Sequence, residues 1–426
     1  MRYSQLFGKT IRQAPKDEIS ANAKLLTRGG FVQKLAAGIY TLLPLGLRVV
    51  EKISQIVREE MNAIGGQEIL MPSLHPKEIW QQSGRWEILK GAMYQLKDSS
   101  KRDFGLGFTH EEIIVDLAKT FVKSWRDLPL YPYQIQEKFR DEPRPRSGLI
   151  RGRSFIMKDL YSLNADQKGL DDFYEKCAQA YAKIFERCGL KTIRTKASGG
   201  VFTKELTDEF QVLSDAGEDE IFYCPSGHFA ENREITKKKE GDKCPLCDQK
   251  IKRSKAIEVG NIFKFGTVYA EKMNMYYTDE KGNKKPVYLG SYGVGITRTM
   301  AAVCEVSHDD TGIIWPKSIA PYQAQLIGIS NQEIVISQAE EVYQELTKAG
   351  VEVLFDDRTD LPAGRQVSAG EKFADCDLIG IPVRLVVSEK TLGLRSGRAG
   401  DKIEWKERKS DKTEILGLEQ VVKKLR

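Results

Sequence analysis

The chain has 426 residues, which at roughly 150 residues per domain corresponds to about three domains or two large ones. With 41% hydrophobic, 30% charged and 9% aromatic residues it falls in the ordinary globular range, which excludes disordered, collagenous and coiled-coil classes. A net charge of +6 permits a polyanionic partner without requiring one.

The opening MRYSQLFGKTIRQ has neither an apolar core nor a small-residue cleavage site, and no stretch approaches the roughly 18 apolar residues of a membrane span. Cys177, Cys188, Cys224, Cys244, Cys247, Cys304 and Cys376 form an odd, sparse set, unlike that of a disulfide scaffold. The reading is a soluble, unexported chain in a reducing cytoplasm, with no membrane partner.

From Leu47, the positions Val50, Ile53, Val57, Met61 and Ile64 recur at helical steps before Gly65-Gly66, predicting a long amphipathic helix. QEILMP (67–72) predicts a short strand stopped by Pro72. YPYQIQEKFR (131–140) and RSFIMKDLYSL (153–163) flank a Pro-, Gly- and Arg-rich stretch, which predicts two antiparallel strands and a hairpin loop. Leu170, Phe173, Cys177, Tyr181 and Ile184 mark a core-facing helix. Residues 237–255 carry eight Lys or Arg against three Asp or Glu and no period, so they read as a solvated connector. From about Ile319 the pattern alternates: AQLIGI, a helix through Val335 and Leu346, VEVLF, a helical stretch near 368–375, VRLVV, KIEW and a last helix from about Leu416. This predicts a small α/β domain.

Two constellations carry chemistry. FRDE (139–142), followed across the loop by Arg151, Phe155 and Asp159, puts arginines and an aromatic ring on adjacent strands. There Arg140 suits an α-phosphate, Arg151 a polyphosphate tail and Phe155 the face of a base; taken alone, the same residues describe an exposed arginine-rich hairpin. GSYGVGITR (290–298) places Gly293 and Gly295 at a strand-to-helix turn with Arg298 in the first helical turn. Arginine where a dinucleotide fold has its third glycine excludes that fold, and leaves nucleotide binding by stacking and charge, or tight helix packing.

Together with AAGIYTLLPLGLRVVEKI, WQQSGRWE, FTHEEII, EFQVLSDAGED, IEVGNIFKFGT, WPKSIAPYQ and EKFADCDLIGIP, these blocks resemble the class II aminoacyl-tRNA synthetases, and among them the bacterial prolyl-tRNA synthetases, over nearly the whole chain. The resemblance implies an α+β catalytic domain with an antiparallel sheet of the class II type, a C-terminal α/β anticodon-binding domain, and a homodimer. It implies a ligase that uses ATP and Mg²⁺ to form prolyl-adenylate from L-proline and then charges tRNA(Pro). The domains it implies are 1–235 and 257–318 (catalytic), 236–256 (connector) and 319–426 (anticodon-binding). Carried onto this sequence, Arg140 and Arg298 act in catalysis, and Arg140, Glu142, Arg151, Phe155, Gly293, Gly295 and Arg298 bind ATP. Thr109, Glu111, Arg140, Met157, Tyr161 and Gln211 contact proline, although Met157 and Tyr161 read equally as core.

The chain departs from that pattern in four places. Only residues 236–256 stand where most bacterial relatives carry an inserted domain that hydrolyses mischarged alanyl-tRNA, so editing is expected to need a separate protein. Cys224, His228, Cys244 and Cys247 have the composition of a structural Zn²⁺ site or of a loop that has lost its metal. Asn261 and Ser154 replace the common His and Glu. The segment 359–372 is longer than the family's loop, and is expected to bulge at the surface within reach of tRNA. Arg358, Lys372 and Arg384 are basic residues of the C-terminal part, suited to phosphates or simply to a solvated face. Two alternatives stay open: a synthetase for another amino acid such as threonine or glycine, and an inactive homologue that binds tRNA.

Overall fold

In the computed structural model, which describes residues 1–15, 18–200, 202–330, 332–359, 366–393 and 402–426, the first long helix is α1, Pro44–Ala63. It begins ahead of Leu47 because proline, lacking an N–H and with φ already helical, opens helices well. Val49, Val50, Ile53, Val57 and Met61 form its buried stripe. Strand β1 is only Gln67–Glu68, parallel to Pro132–Tyr133, and so is shorter than the expected 67–72. Past it a side chain replaces the ladder: Gln134 Oε1 accepts from the Met71 N–H at 2.9 Å.

By internal contacts the chain divides into two compact units, Leu35–Tyr40 with Ile53–Ala302, and Met1–Lys34 with Thr41–Lys52 and Val303–Arg426. The former holds α2 (Glu111–Phe121), β2 (Pro132–Phe139), β3 (Ser154–Asn164), α3 (Gln167–Arg187), β4 (Ile193–Ser198), β5 (Leu206–Leu213), β6 (Asp219–Tyr223), β7 (Ala230–Asn232), β8 (Lys252–Gly266) and β9 (Tyr288–Gly295). Helix α4 (Ile296–Val306) follows directly on β9. With β1 these strands make a nine-stranded sheet in the order β5-β4-β7-β6-β8-β9-β3-β2-β1, mostly antiparallel, with β5 also pairing with β8. The α3 positions Leu170, Phe173, Cys177, Tyr181 and Ile184 are all buried, and Asp166 caps the helix by accepting from the Gly169 N–H at 2.7 Å.

Strand β8 starts at Lys252, inside the stretch read as a connector without strand period. Its first residues hold no apolar alternation; they are fixed by the backbone ladder to β6 and by the Arg253–Glu220 ion pair, neither of which hydrophobic patterning reports.

The second unit contains β10 (Ala324–Ile329), α5 (Glu333–Lys348), β11 (Val353–Asp356), α6 (Ala369–Ile379), β12 (Val383–Ser388), β13 (Lys402–Glu407), β14 (Thr413–Gly417) and α7 (Leu418–Leu425). Its sheet order is β11-β10-β12-β13-β14; the first three strands are parallel and the last two antiparallel. Leu326, Val342, Leu346, Leu385 and Trp405 lie in its core. The basic residues singled out here are engaged internally. Arg358 pairs with Asp356 (2.7 Å) and Asp375 (2.8 Å), Lys372 donates to Gly328 O (2.8 Å), and Arg384 reaches Asp377 at 3.5 Å. Of the expected 359–372 loop, residues 360–365 lie outside the described residues. Among the described residues no helix is long and apolar enough to cross a membrane.

Candidate active site

Strand register builds the site. Across the sheet, Gln134, Asp159, Gly293, Asn261 and Glu209 stand in one row, each paired with the next. Because side chains alternate along a strand, Phe155, Met157 and Asp159 share one face of β3. Gly293 leaves a gap in the row: a Cβ there would meet nothing closer than the Met157 side chain at 3.8 Å. The gap is the floor of a cleft lined by Thr109, Glu111, Met157, Asn261 and Ser291, together with Arg140, Phe155, Glu258, Gly295 and Arg298. Arg140, Phe155, Glu258 and Arg298 also line an adjoining lobe with Glu142, Arg151 and Glu218.

Arg140 stands at the junction of the two lobes. Its guanidinium carbon lies 4.8 Å from the ring centre of Phe108 and 5.0 Å from that of Phe155, and its buried Nε has no hydrogen-bond partner among the described residues. Burial, followed by the like charge of Arg298, lowers its pKa to about 10, so it remains a cation at neutral pH. A half-buried cation with no carboxylate on its fork among the described residues is suited to hold an anion. The other arginines are held. Arg298 donates from Nε to Ile150 O (2.8 Å) and from Nη1 to Glu258 O (3.0 Å), and Arg151 sits between Glu142 (2.7 Å) and Glu218 (2.6 Å).

Away from that adjoining lobe, the cleft ends in a buried acidic group. Thr109 Oγ1 donates to Glu111 Oε2 at 2.5 Å, Ser291 Oγ donates to Glu111 Oε1 at 2.9 Å, and Arg85 Nη1 lies 3.3 Å from Oε2. A carboxylate set this way meets a substrate ammonium by a charge-assisted bond.

Two of the expected proline contacts do not line the cleft. Tyr161 is set back from the cleft in the core, its hydroxyl donating to Asp159 Oδ2 (2.8 Å) and accepting from the His110 N–H (3.0 Å). Gln211 is fully buried, its amide donating to two acidic residues of the cleft walls, Glu209 and Asp219, both at 2.8 Å. Of the two departures from the family pattern, Asn261 lines the cleft and its amide approaches Glu209 at 3.4 Å, whereas Ser154 bonds to Glu137 and does not line it. Arg85, Ser291, Glu258 and Glu209 are site residues given no role by sequence reasoning. Each lies in or beside a block already noted, but its part depends on partners distant in sequence.

The four residues read as a metal set do converge: one ligand atom from each of Cys224, His228, Cys244 and Cys247 lies within 4.8 Å of the others, and the Sγ atoms of Cys224 and Cys247 are 3.5 Å apart. Zinc–sulfur bonds of about 2.3 Å at tetrahedral angles put sulfurs roughly 3.8 Å apart, so the donor set fits that ion.

The model of the class II tRNA synthetase core domain (G, H, P, S and T) matches residues 94–307, and that of the anticodon binding domain matches 323–426. The chain is 35% identical to proline--tRNA ligase 1 of Anaeromyxobacter dehalogenans, covering 100% of this chain and 98% of that protein, and 34% identical to the proline--tRNA ligase of Dehalococcoides mccartyi with the same coverage. The chain belongs to the class II prolyl-tRNA synthetases. This family carries the α+β core and α/β anticodon-binding domain expected from the sequence. The solved prolyl-tRNA synthetase of Cryptosporidium parvum, complexed with L-proline and AMP, shares the fold, with a TM-score of 0.74 and 17% identity over 95% of this chain and 73% of that one. The synthetase of Giardia lamblia, in complex with prolyl-adenylate, gives the same score over 94% of this chain and 75% of that one. The alignment with the Anaeromyxobacter ligase spans 575 positions against 426 residues here, so that relative has a long stretch without counterpart in this chain.

Proposed function

We propose that the chain is a proline–tRNA ligase: it condenses L-proline with ATP to prolyl-adenylate, then passes the prolyl group to tRNA(Pro). The observation that carries this is the unpaired Arg140 cation between Phe108 and Phe155, in a cleft whose other end holds Glu111. Proline is a zwitterion, and such a cleft offers a carboxylate for its ammonium and a guanidinium for its carboxylate.

The carboxylate oxygen of proline attacks the α-phosphorus, the bond from that phosphorus to the bridging oxygen breaks, and pyrophosphate leaves with the electron pair. No general base is needed, because the nucleophile is already ionised; positioning and charge neutralisation do the work. Arg140 spans the proline carboxylate and the α-phosphate. Arg298 and Arg151 turn toward the outer phosphates, Phe155 stacks on the adenine, and Gly293 and Gly295 leave room for the nucleotide backbone. In the second step a terminal ribose hydroxyl attacks the prolyl carbonyl and AMP departs. Mg²⁺ neutralises the polyphosphate when bound. Glu142 and Glu258 would hold it; burial and the charge of Asp219 raise the carboxyl of Glu258, a strain that a cation relieves.

On this reading residues 1–235 and 257–318 form the catalytic domain, 319–426 reads the anticodon, and 236–256 replaces an editing insertion. The enzyme works as a homodimer in the cytoplasm, with alanyl-tRNA cleared by a separate protein. The test is ATP–pyrophosphate exchange with proline, alanine, threonine, glycine or no amino acid. Exchange strongest with proline supports the reading. Stronger exchange with another amino acid would reassign the substrate, and no exchange by a folded chain that binds tRNA would make it an inactive homologue.

A further inference from the structure

The Cys/His cluster has a local architecture that the catalytic reading does not use. Cys224 follows β6 directly, and the turn after it is closed by the Gly227 N–H donating to Cys224 O at 2.8 Å, with Gly227 at φ +79°. Only a residue at ease in the left-handed region turns the chain there so that His228 comes back toward Cys224. The second turn is built alike. The Cys244 N–H donates to Gln249 O at 2.9 Å, Lys243 and Lys250 form a bridge across it, and the Leu246 N–H points at Cys244 Sγ at 3.5 Å. Two tight turns thus present two ligand atoms each toward a common point.

Apart from backbone hydrogen bonds such as that from the Gly241 N–H to Ile251 O at 2.9 Å, this region has a small apolar core. Its buried cluster consists of Cys224, Cys244 and Ile251, with Phe222, Phe229 and Cys247 packed beside it. The stretch 237–255 is strongly cationic, with eight basic residues against three acidic ones. So small a core, with so much like charge around it, calls for a staple. Three thiolates and an imidazole around a divalent cation supply one, with a net negative charge that suits the surrounding lysines.

The turns also join the active site by a short path. Strand β6 pairs with β8 from Asp219↔Ala256 to Tyr223↔Lys252. Cys224 adjoins the last pair of this ladder, whereas Asp219, Ala256 and Glu258 line the lobe that contains Arg140 and Arg298. At about 3.3 Å per residue the two ends are roughly 13 Å apart.

We propose that Cys224, His228, Cys244 and Cys247 bind one zinc ion, which pins the short connector against the β6–β8 ladder and so fixes the strand ends that line the nucleotide lobe. The ion is structural, and its occupancy is measured independently of the ligase reading.

Full-length chain purified without chelator is analysed by plasma mass spectrometry, and one zinc per chain is expected. Exchange with Co²⁺ under reducing conditions should give the visible bands of a tetrahedral site with sulfur-to-metal charge transfer. His228→Cys should keep the metal and strengthen the charge-transfer band, whereas Cys247→Ser should lose both. Metal loss should accelerate amide exchange of 219–223 by about tenfold, since the ladder end then opens locally. Should Cys247→Ser fail to fold, mercurial titration of the native chain still decides, because blocking its thiols must release one zinc. No bound zinc and no tetrahedral cobalt spectrum would overturn the proposal. Metal binding without any change in exchange of 219–223 would overturn the link to the nucleotide lobe.

Discussion

Arg85 Nη1 reaches Glu111 Oε2 at 3.3 Å while both side chains are almost wholly buried, and the same nitrogen lies 3.0 Å from Glu112 Oε1. One guanidinium therefore serves two adjacent carboxylates, backed by the rings of Trp80 (5.5 Å) and Phe202 (5.0 Å). Burial and the charge of Glu111 push the Glu112 carboxyl up, and Arg85 opposes that push. Arg85 is thus a positioning residue for Glu111.

Arg85→Met should cost about 3–5 kcal/mol in chemical denaturation, because it leaves two buried carboxylates without their cation. In exchange assays the KM for proline should rise far more than the KM for ATP. Equal effects on the two would show that Arg85 supports the fold alone.

Arg140 should behave in the opposite way. No carboxylate pairs with its fork and burial already lowers its pKa to about 10, so its charge weakens the free enzyme. Arg140→Met is expected to leave the Tm unchanged or higher, while exchange falls by at least about a hundredfold, the scale of losing one preorganised donor to a transition-state charge. Arg140→Lys should recover little, since an ammonium cannot span two anions as the planar fork does. A Tm loss matching the loss of activity would sink this account.

How much of this was legible beforehand follows from sequence range. Arg140, Phe155, Gly293 and Arg298 were readable because each lies in a short motif whose spacing states its place on a strand end or helix turn. Glu111 was readable through its Thr109 neighbour. The role of Arg85 was not, because its partners come from α2 and long-range pairing leaves no local period. Tyr161 shares the parity of Phe155 and Met157, so alternation placed it correctly on its face but could not say that the His110 segment covers that end of the strand. Strand β14 escaped notice because its first three residues are exposed and carry no apolar run. Up to β13, the α/β alternation of the C-terminal unit was legible from its buried strands and one-sided helices.

His75 and His110 make stability depend on acid. Both Nε2 atoms meet the Pro72 carbonyl, at 2.8 and 2.9 Å, and both Nδ1 atoms are buried without a hydrogen-bond partner among the described residues, that of His110 lying 3.9 Å from Asp159 Oδ2. Burial lowers the pKa of His75 to about 4 and of His110 to about 3; nearby Lys138 lowers both further and Asp159 opposes it. The unfolded chain therefore binds more protons than the folded one below pH 6.5, and folding stability drops as pH falls toward these values, with a slope for each histidine that steepens from about 0.3 kcal/mol per pH unit at pH 7 to about 1.3 at pH 5. Denaturant midpoints measured from pH 7 to 5 should show this slope, and His110→Gln, which keeps a donor for Pro72, should remove about half of it. An unchanged slope would place the acid sensitivity elsewhere.

Alanine is the harder test of the enzyme. The cleft beside Glu111 rests its apolar wall on Phe155, Met157, Phe202 and Phe263. Such a wall gains from the two further ring carbons of proline but has no group left unpaired when alanine enters, and apolar pockets discriminate by only about 10- to 200-fold per methylene. Alanine also presents an ammonium to Glu111, primary where that of proline is secondary, and the same carboxylate to Arg140. Alanine-dependent exchange is therefore expected at a measurable fraction of the proline rate. On the reading proposed above, in which residues 236–256 replace an editing insertion, alanyl-tRNA(Pro) made by the enzyme should decay no faster with enzyme present than in buffer. Adding an editing protein from another source should clear it. Rapid hydrolysis of preformed alanyl-tRNA(Pro) by the purified chain alone would mean that a second hydrolytic site exists within these 426 residues.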